Sequence, residues 1–81
     1  MPADFNAYRE MVEFLTSGPS YEDIVQFMAS EDTRLRVRYL QNGKRAGMLT
    51  PEEELELDEF RKVELFMREM KERARRHIPK D

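Results

Sequence analysis

Thr50-Pro51-Glu52-Glu53 opens a helix that runs nearly unbroken to about His77. Thr50 is placed as N-cap, Pro51 stands at the first helical position where its missing N–H costs nothing, and Glu53 closes a capping box. Roughly a third of the chain therefore lies in one helix of some 27 residues, about 40 Å long at ~1.5 Å per residue, which is longer than a domain of this size is wide. Part of such a helix must overhang or meet a partner, and its last stretch, from about Arg68 to His77, is the expected overhang. Its apolar stripe is Phe60, Val63, Met67, Met70 and Ala74, a three-four-three-four spacing that fits a coiled-coil seam as well as an amphipathic face. Asp58/Lys62, Glu64/Arg68, Glu69/Arg73 and Glu72/Arg76 each set an acid four residues before a base, pairs worth about 0.2–0.5 kcal/mol apiece. Leu65 lies nearly opposite the stripe and Leu55 and Phe66 lie well to its side, which hints at a second contact surface.

Upstream, Phe5, Tyr8, Val12 and Leu15, with Met11 beside them, form one stripe of a short helix from about Asp4 to Thr16. Ser17-Gly18-Pro19 stops it. Ser20 caps a second short element with apolar positions Tyr21, Ile24, Val25 and Met28, although an extended Ile24 to Phe27 segment is the alternative. Ser30 before Glu31-Asp32 opens a segment to about Arg45 that reads two ways. Arg34-Leu35-Arg36-Val37-Arg38-Tyr39 alternates like a strand, and Asn42-Gly43 favours a tight hairpin turn. Leu35/Tyr39 and Val37/Leu40 instead sit at helical spacing, and Gly47 stands where a helix would end. Helix is favoured, with fraying expected after Asn42 because an interior glycine costs about 1 kcal/mol relative to alanine. The tail from Ile78 to Asp81 is expected to be loose. The chain is thus expected to be one all-α domain of three or four helices, short N-terminal ones packed on a long C-terminal one.

Composition narrows the functional classes. A chain of 81 residues builds only a small core. It has no cysteine, which removes disulfides, thiolate metal sites and cysteine nucleophiles, and fits a reducing cytoplasm. There is no run of about 18 apolar residues, and the start Met-Pro-Ala-Asp-Phe-Asn has neither a basic region nor an apolar signal core, so neither export nor membrane spanning is expected. Charged residues are 38% of the chain and nearly cancel, at net −3, but they are blocked. Arg34, Arg36, Arg38, Lys44 and Arg45 fall in a stretch without acids; Glu52, Glu53, Glu54, Glu56, Asp58 and Glu59 follow, and from Arg68 to Lys80 bases dominate again. Such blocks can recognise a charged partner, while acids at the start and bases at the end of one helix also suit its macrodipole.

Ile24-Val25-Gln26-Phe27, Ala29-Ser30-Glu31, Tyr39-Leu40, the run Gly47-Met48-Leu49-Thr50-Pro51-Glu52-Glu53-Glu54-Leu55-Glu56-Leu57-Asp58-Glu59-Phe60, Val63-Glu64-Leu65 and Lys71-Glu72-Arg73-Ala74-Arg75-Arg76 carry a resemblance. From Ser20 to Arg76 the chain resembles a group of small, mostly uncharacterised bacterial helical proteins of cyanobacterial and planctomycete type. In that group residues 31–45 read as helix, although Gln41-Asn42-Gly43 departs from its usual helix formers. The resemblance implies an antitoxin-like or accessory protein of the kind encoded beside nuclease genes, with no activity to transfer. The helix before Ser17 lies outside it.

Catalytic chemistry finds little support. His77 sits among arginines at a helix end, and Ser17, Ser20, Ser30 and Thr50 have capping or turn roles without an evident base. Glu52, Glu56 and Glu59 share a face but lack the glycine and alternating oxygens of a calcium loop, and Gly18, Gly43 and Gly47 are scattered, so no metal or cofactor is expected. Five of the six methionines, Met11, Met28, Met48, Met67 and Met70, are read chiefly as core. The expected function is a noncatalytic protein-interaction module that binds another protein or itself as a homodimer, through Leu65, Phe66, Met70, Arg73, Arg75 and Arg76. The alternative is a nucleic-acid-binding regulator using Arg34, Arg38, Lys44 and Arg45, against which the acidic pI near 5.2 counts.

Overall fold

In the computed structural model, which describes residues 6–79, four polar side chains start four helices. Asn6, Ser20, Ser30 and Thr50 each accept a hydrogen bond from the backbone N–H three residues on, opening α1 (Ala7–Thr16), α2 (Tyr21–Gln26), α3 (Glu31–Ala46) and α4 (Pro51–Arg76). Losing such a cap costs about 0.5–2 kcal/mol, so these residues fix where each helix begins. Ser20 with Asp23 and Thr50 with Glu53 form full capping boxes. No strand occurs among the described residues, and the all-α expectation of short helices on one long C-terminal helix is what the chain forms. The first helix, expected from about Asp4, begins at Ala7, because Asn6 is extended and caps it; Asp4 and Phe5, and Lys80 and Asp81, expected in a loose tail, lie outside the described residues. Ile78 just after α4 is tied back, its N–H donating to Arg75 O at 3.2 Å.

Residues 31–46 are one helix, not a hairpin. Thr33, Val37 and Leu40, spaced four and three, are the residues it buries, whereas Leu35 and Tyr39 are half in solvent. The apparent alternation of Arg34 to Tyr39 is thus two helical faces read in sequence. The expected fraying after Asn42 does not occur. Gly47 adopts φ 69°, Met48 N–H donates to Gly43 O at 2.9 Å and Gly47 N–H to Lys44 O at 3.1 Å, which satisfies the last carbonyls. Gly43 has a packing reason as well: a Cβ there would stand 2.5 Å from Cδ2 of Leu49, so its bare backbone is the seat for that side chain.

α4 is the spine on which the other three pack, each meeting α4 far more than it meets its fellows. α3 lies along the first part of α4, where Arg36 reaches Glu56. α1 covers the middle, where Met11, Val63 and Met67 form the core with Ala7, Phe14, Leu15 and Phe27 against it. α2 takes the C-terminal end, where Tyr21 stacks on His77 at 4.6 Å. The expected overhang from Arg68 to His77 is therefore overturned: Ala74 is buried and Lys71 Nζ donates to Phe27 O at 2.8 Å. The helix is longer than a compact domain is wide because the short helices lie in file along it, giving extents of 48 × 24 × 17 Å. Within α1 the buried side is also rotated from expectation, with Met11 buried and Tyr8 and Val12 exposed. Ala7, Met11 and Phe14 have the same four-three spacing as the neighbouring stripe, so periodicity alone cannot choose between them.

Candidate functional site

The residues expected to bind a partner do not form one patch. Leu65 and Phe66 are 60% and 49% exposed. Being consecutive in a helix, they point about 100° apart. Phe66, Met70 and Arg73, at i, i+4 and i+7, share a side of α4, while Leu65 and Arg75 lie elsewhere on its circumference. Met70 is half-buried beside the core stripe. Arg73 pairs with Glu69 at 2.9 Å and Arg75 approaches Glu72 at 3.7 Å, and Arg76 makes no ion pair among the described residues. Of the four expected i,i+4 pairs on this helix, Glu69–Arg73 is the one that closes among the described residues.

The basic run of α3 and the acidic block of α4 face each other. Arg36 donates two bonds of 2.9 Å to Glu56 and lies 3.9 Å from Glu53, its guanidinium standing 5.0 Å over the Tyr39 ring. Lys44 pairs with Glu54 at 3.2 Å. Arg34 turns back to Ala29 O at 3.0 Å, while Arg38 and Arg45 form no hydrogen bond or ion pair among the described residues. Two of the blocks that sequence offered to an outside partner thus partly neutralise each other inside the molecule. Glu53 is held below the ordinary carboxylate range, chiefly by the Thr50 backbone N–H, against slight desolvation and with help from Tyr39 and Arg36.

A carboxylate at the start of α3 escaped the sequence altogether. Glu10 of α1 accepts from Ser30 N–H at 2.7 Å, Ser30 Oγ at 2.8 Å and Thr33 Oγ1 at 2.6 Å. Burial works to raise its pKa, but the bonds from Thr33 and Ser30 outweigh it, so Glu10 ionises below its ordinary range. It meets the positive end of the α3 dipole and satisfies the buried Thr33 hydroxyl. Nothing in the local sequence around Glu10 marks this, because its partners are 20 and 23 residues away.

A pocket of about 400 Å³ opens where the start of α1, the α2–α3 link and the middle of α4 converge. Phe27, Phe60, Val63 and Met67 supply apolar walls, and Arg34, Arg68, Lys71 and Arg75 supply charge, with Glu64 as the acid. Its lining comes from separate stretches of chain, which is why no single motif announced it. His77 is the C-cap of α4 and its ring stacks on Tyr21. No cluster of side chains able to hold a metal occurs among the described residues. The methionines divide, Met11 and Met67 being buried and Met28 and Met48 exposed, so the core assignment fails for the latter two. No helix among the described residues is long and apolar enough to cross a membrane. Comparison with protein families, with curated proteins and with solved structures finds no match to this chain.

Proposed function

We propose that the chain is a noncatalytic protein-interaction module, an antitoxin-like or regulatory partner of a nuclease-type protein, acting in the cytoplasm and paired with itself or with that protein. The observation that supports this reading is the apolar side chains left exposed on more than one side of α4. Leu57, Val63, Met67 and Ala74 are the side chains that α4 buries, yet Leu55, Leu65 and Phe66 stay exposed on the same helix. Single exposed apolar residues are ordinary, but three on the free circumference of a spine helix exceed what its own fold uses. Replacing Leu65 and Phe66 together with glutamate abolishes self-association or partner capture and leaves helix content intact, as read by sedimentation and circular dichroism. Unchanged association would sink the proposal.

The nucleic-acid alternative draws on Arg38 and Arg45, which have no partner among the described residues, with Arg34 and Lys44 beside them already engaged. It requires binding that weakens steeply as salt rises.

A further inference from the structure

The geometry points to the pocket between α1, the α2–α3 link and α4 as a binding site for an amphipathic monoanion, a medium-chain acyl or aryl carboxylate. Phe27, Phe60, Val63 and Met67 give the pocket its apolar lining, and four cationic side chains line it against one acid. Arg75 already approaches Glu72, so Arg34, Arg68 and Lys71 are the lining cations without a carboxylate partner among the described residues, and an anion seated beside them gains charge-assisted bonds. Two of the four also build the wall. Lys71 Nζ donates to Phe27 O and Arg34 Nε to Ala29 O, at 2.8 and 3.0 Å, so the α2–α3 link is pinned by the charges that line the cavity. Those bonds leave the terminal guanidinium nitrogens of Arg34 and two ammonium protons of Lys71 unspent. The Arg68 side chain makes no hydrogen bond or ion pair among the described residues, and its fork suits a carboxylate in two-point contact.

Size and charge pattern select the ligand class. About 400 Å³ lies within the usual range of small-molecule sites, roughly 300–1,000 Å³. Glu64 on the same rim disfavours a run of phosphates and leaves room for one anionic head. An apolar floor demands a body that gains from leaving water, so a small inorganic anion would use only half the site. The site is distinct from Leu65 and Phe66, and its failure would not touch the interaction proposal, nor the reverse.

The probe is decanoate, titrated below its micelle concentration while the methyl signals of Ala7, Ala29, Val63 and Met67 are followed by NMR. Decanol, with the same tail and no charge, is the control. Saturable shifts of those methyls are expected, with decanol at least about tenfold weaker, the size of one charge-assisted hydrogen bond. Arg68→Gln is expected to weaken decanoate about tenfold while leaving decanol binding and helix content unchanged, and Arg68→Lys to recover part of the loss. The proposal is overturned if decanoate produces no saturable shift, if decanol binds as tightly, or if Arg68→Gln leaves decanoate affinity unaltered.

Discussion

The two ends of α4 are held by different chemistry. At its N-terminal end, α3 arrives through a link of only Gly47 to Thr50, and the seam is lined with opposite charges, Arg36 with Glu56 and Lys44 with Glu54. Beyond the first turns, α1 along the middle and α2 at the C-terminal end arrive from distant sequence; Met11 is buried with Val63 and Met67, Glu10 ties α1 to the start of α3, and Lys71 of α4 holds Phe27. The near end is therefore local in sequence and sensitive to salt. The far end is long-range, apolar and sensitive to acid. Charge pairing across a partly exposed seam stabilises weakly, whereas Leu40 of α3 and Leu57 of α4 are each only 1% exposed.

Breaking the near end at its core should have the largest effect. Leu57→Ala should cost about 2–5 kcal/mol, against a total of only ~4–12 kcal/mol for a chain of this length, and lower the urea midpoint steeply. Because α4 is common to both ends, probes in α1 and in α3 should lose structure in one transition; separate transitions would show that the ends fold independently.

The far end is tested by Glu10→Gln, expected to cost about 1–3 kcal/mol at neutral pH through the loss of charge-assisted bonds to Ser30 and Thr33. The sign of its pH dependence follows from the depressed native pKa. The carboxylate's contribution is fully present above its ordinary value near 4.5 and is lost as pH falls through the lower native value. The stability gap between wild type and variant should therefore close in acid, and a gap that widened there would contradict the assignment.

The smallest effect belongs to the charged seam. Arg36 and Glu56 are each about one-third exposed, so Arg36→Gln should cost only about 0.2–1 kcal/mol, and the difference should shrink in high salt. A loss unaffected by salt would mean that Arg36 acts through its stacking on Tyr39 instead.

The starts of the last three helices were the most legible part of the sequence, because a cap is a local event: Ser20, Ser30 and Thr50 are each followed within three positions by the acids that suit a first helical turn. The long helix and its core positions Val63, Met67 and Ala74 were legible for the same reason, one face repeating at helical period. What sequence could not supply was the rotation of each helix about its own axis and its position along the spine. Tyr8–Val12 and Ala7–Met11 are equally periodic, and the choice between them was made by Val63 and Met67 across the interface. The expected overhang failed because no local feature says that Tyr21 reaches His77. Leu57, among the most buried side chains, does not stand out in the sequence, because it lies among acids whose side chains turn toward α3 and solvent. The candidate partner face was legible as exposed apolar residues but not as a divided surface, and the pocket was invisible, since its walls meet only after packing.

The order of elements along the chain gives the spine a further consequence during synthesis. A ribosome delivers α1, α2 and α3 before the surface that all three bury exists, and those three meet each other too little to cover Met11, Ile24, Val37 or Leu40. Short helices without tertiary support are marginal in water. The nascent chain must therefore carry its apolar faces uncovered until Pro51–Arg76 emerges, so that structure arrives as one late event rather than helix by helix.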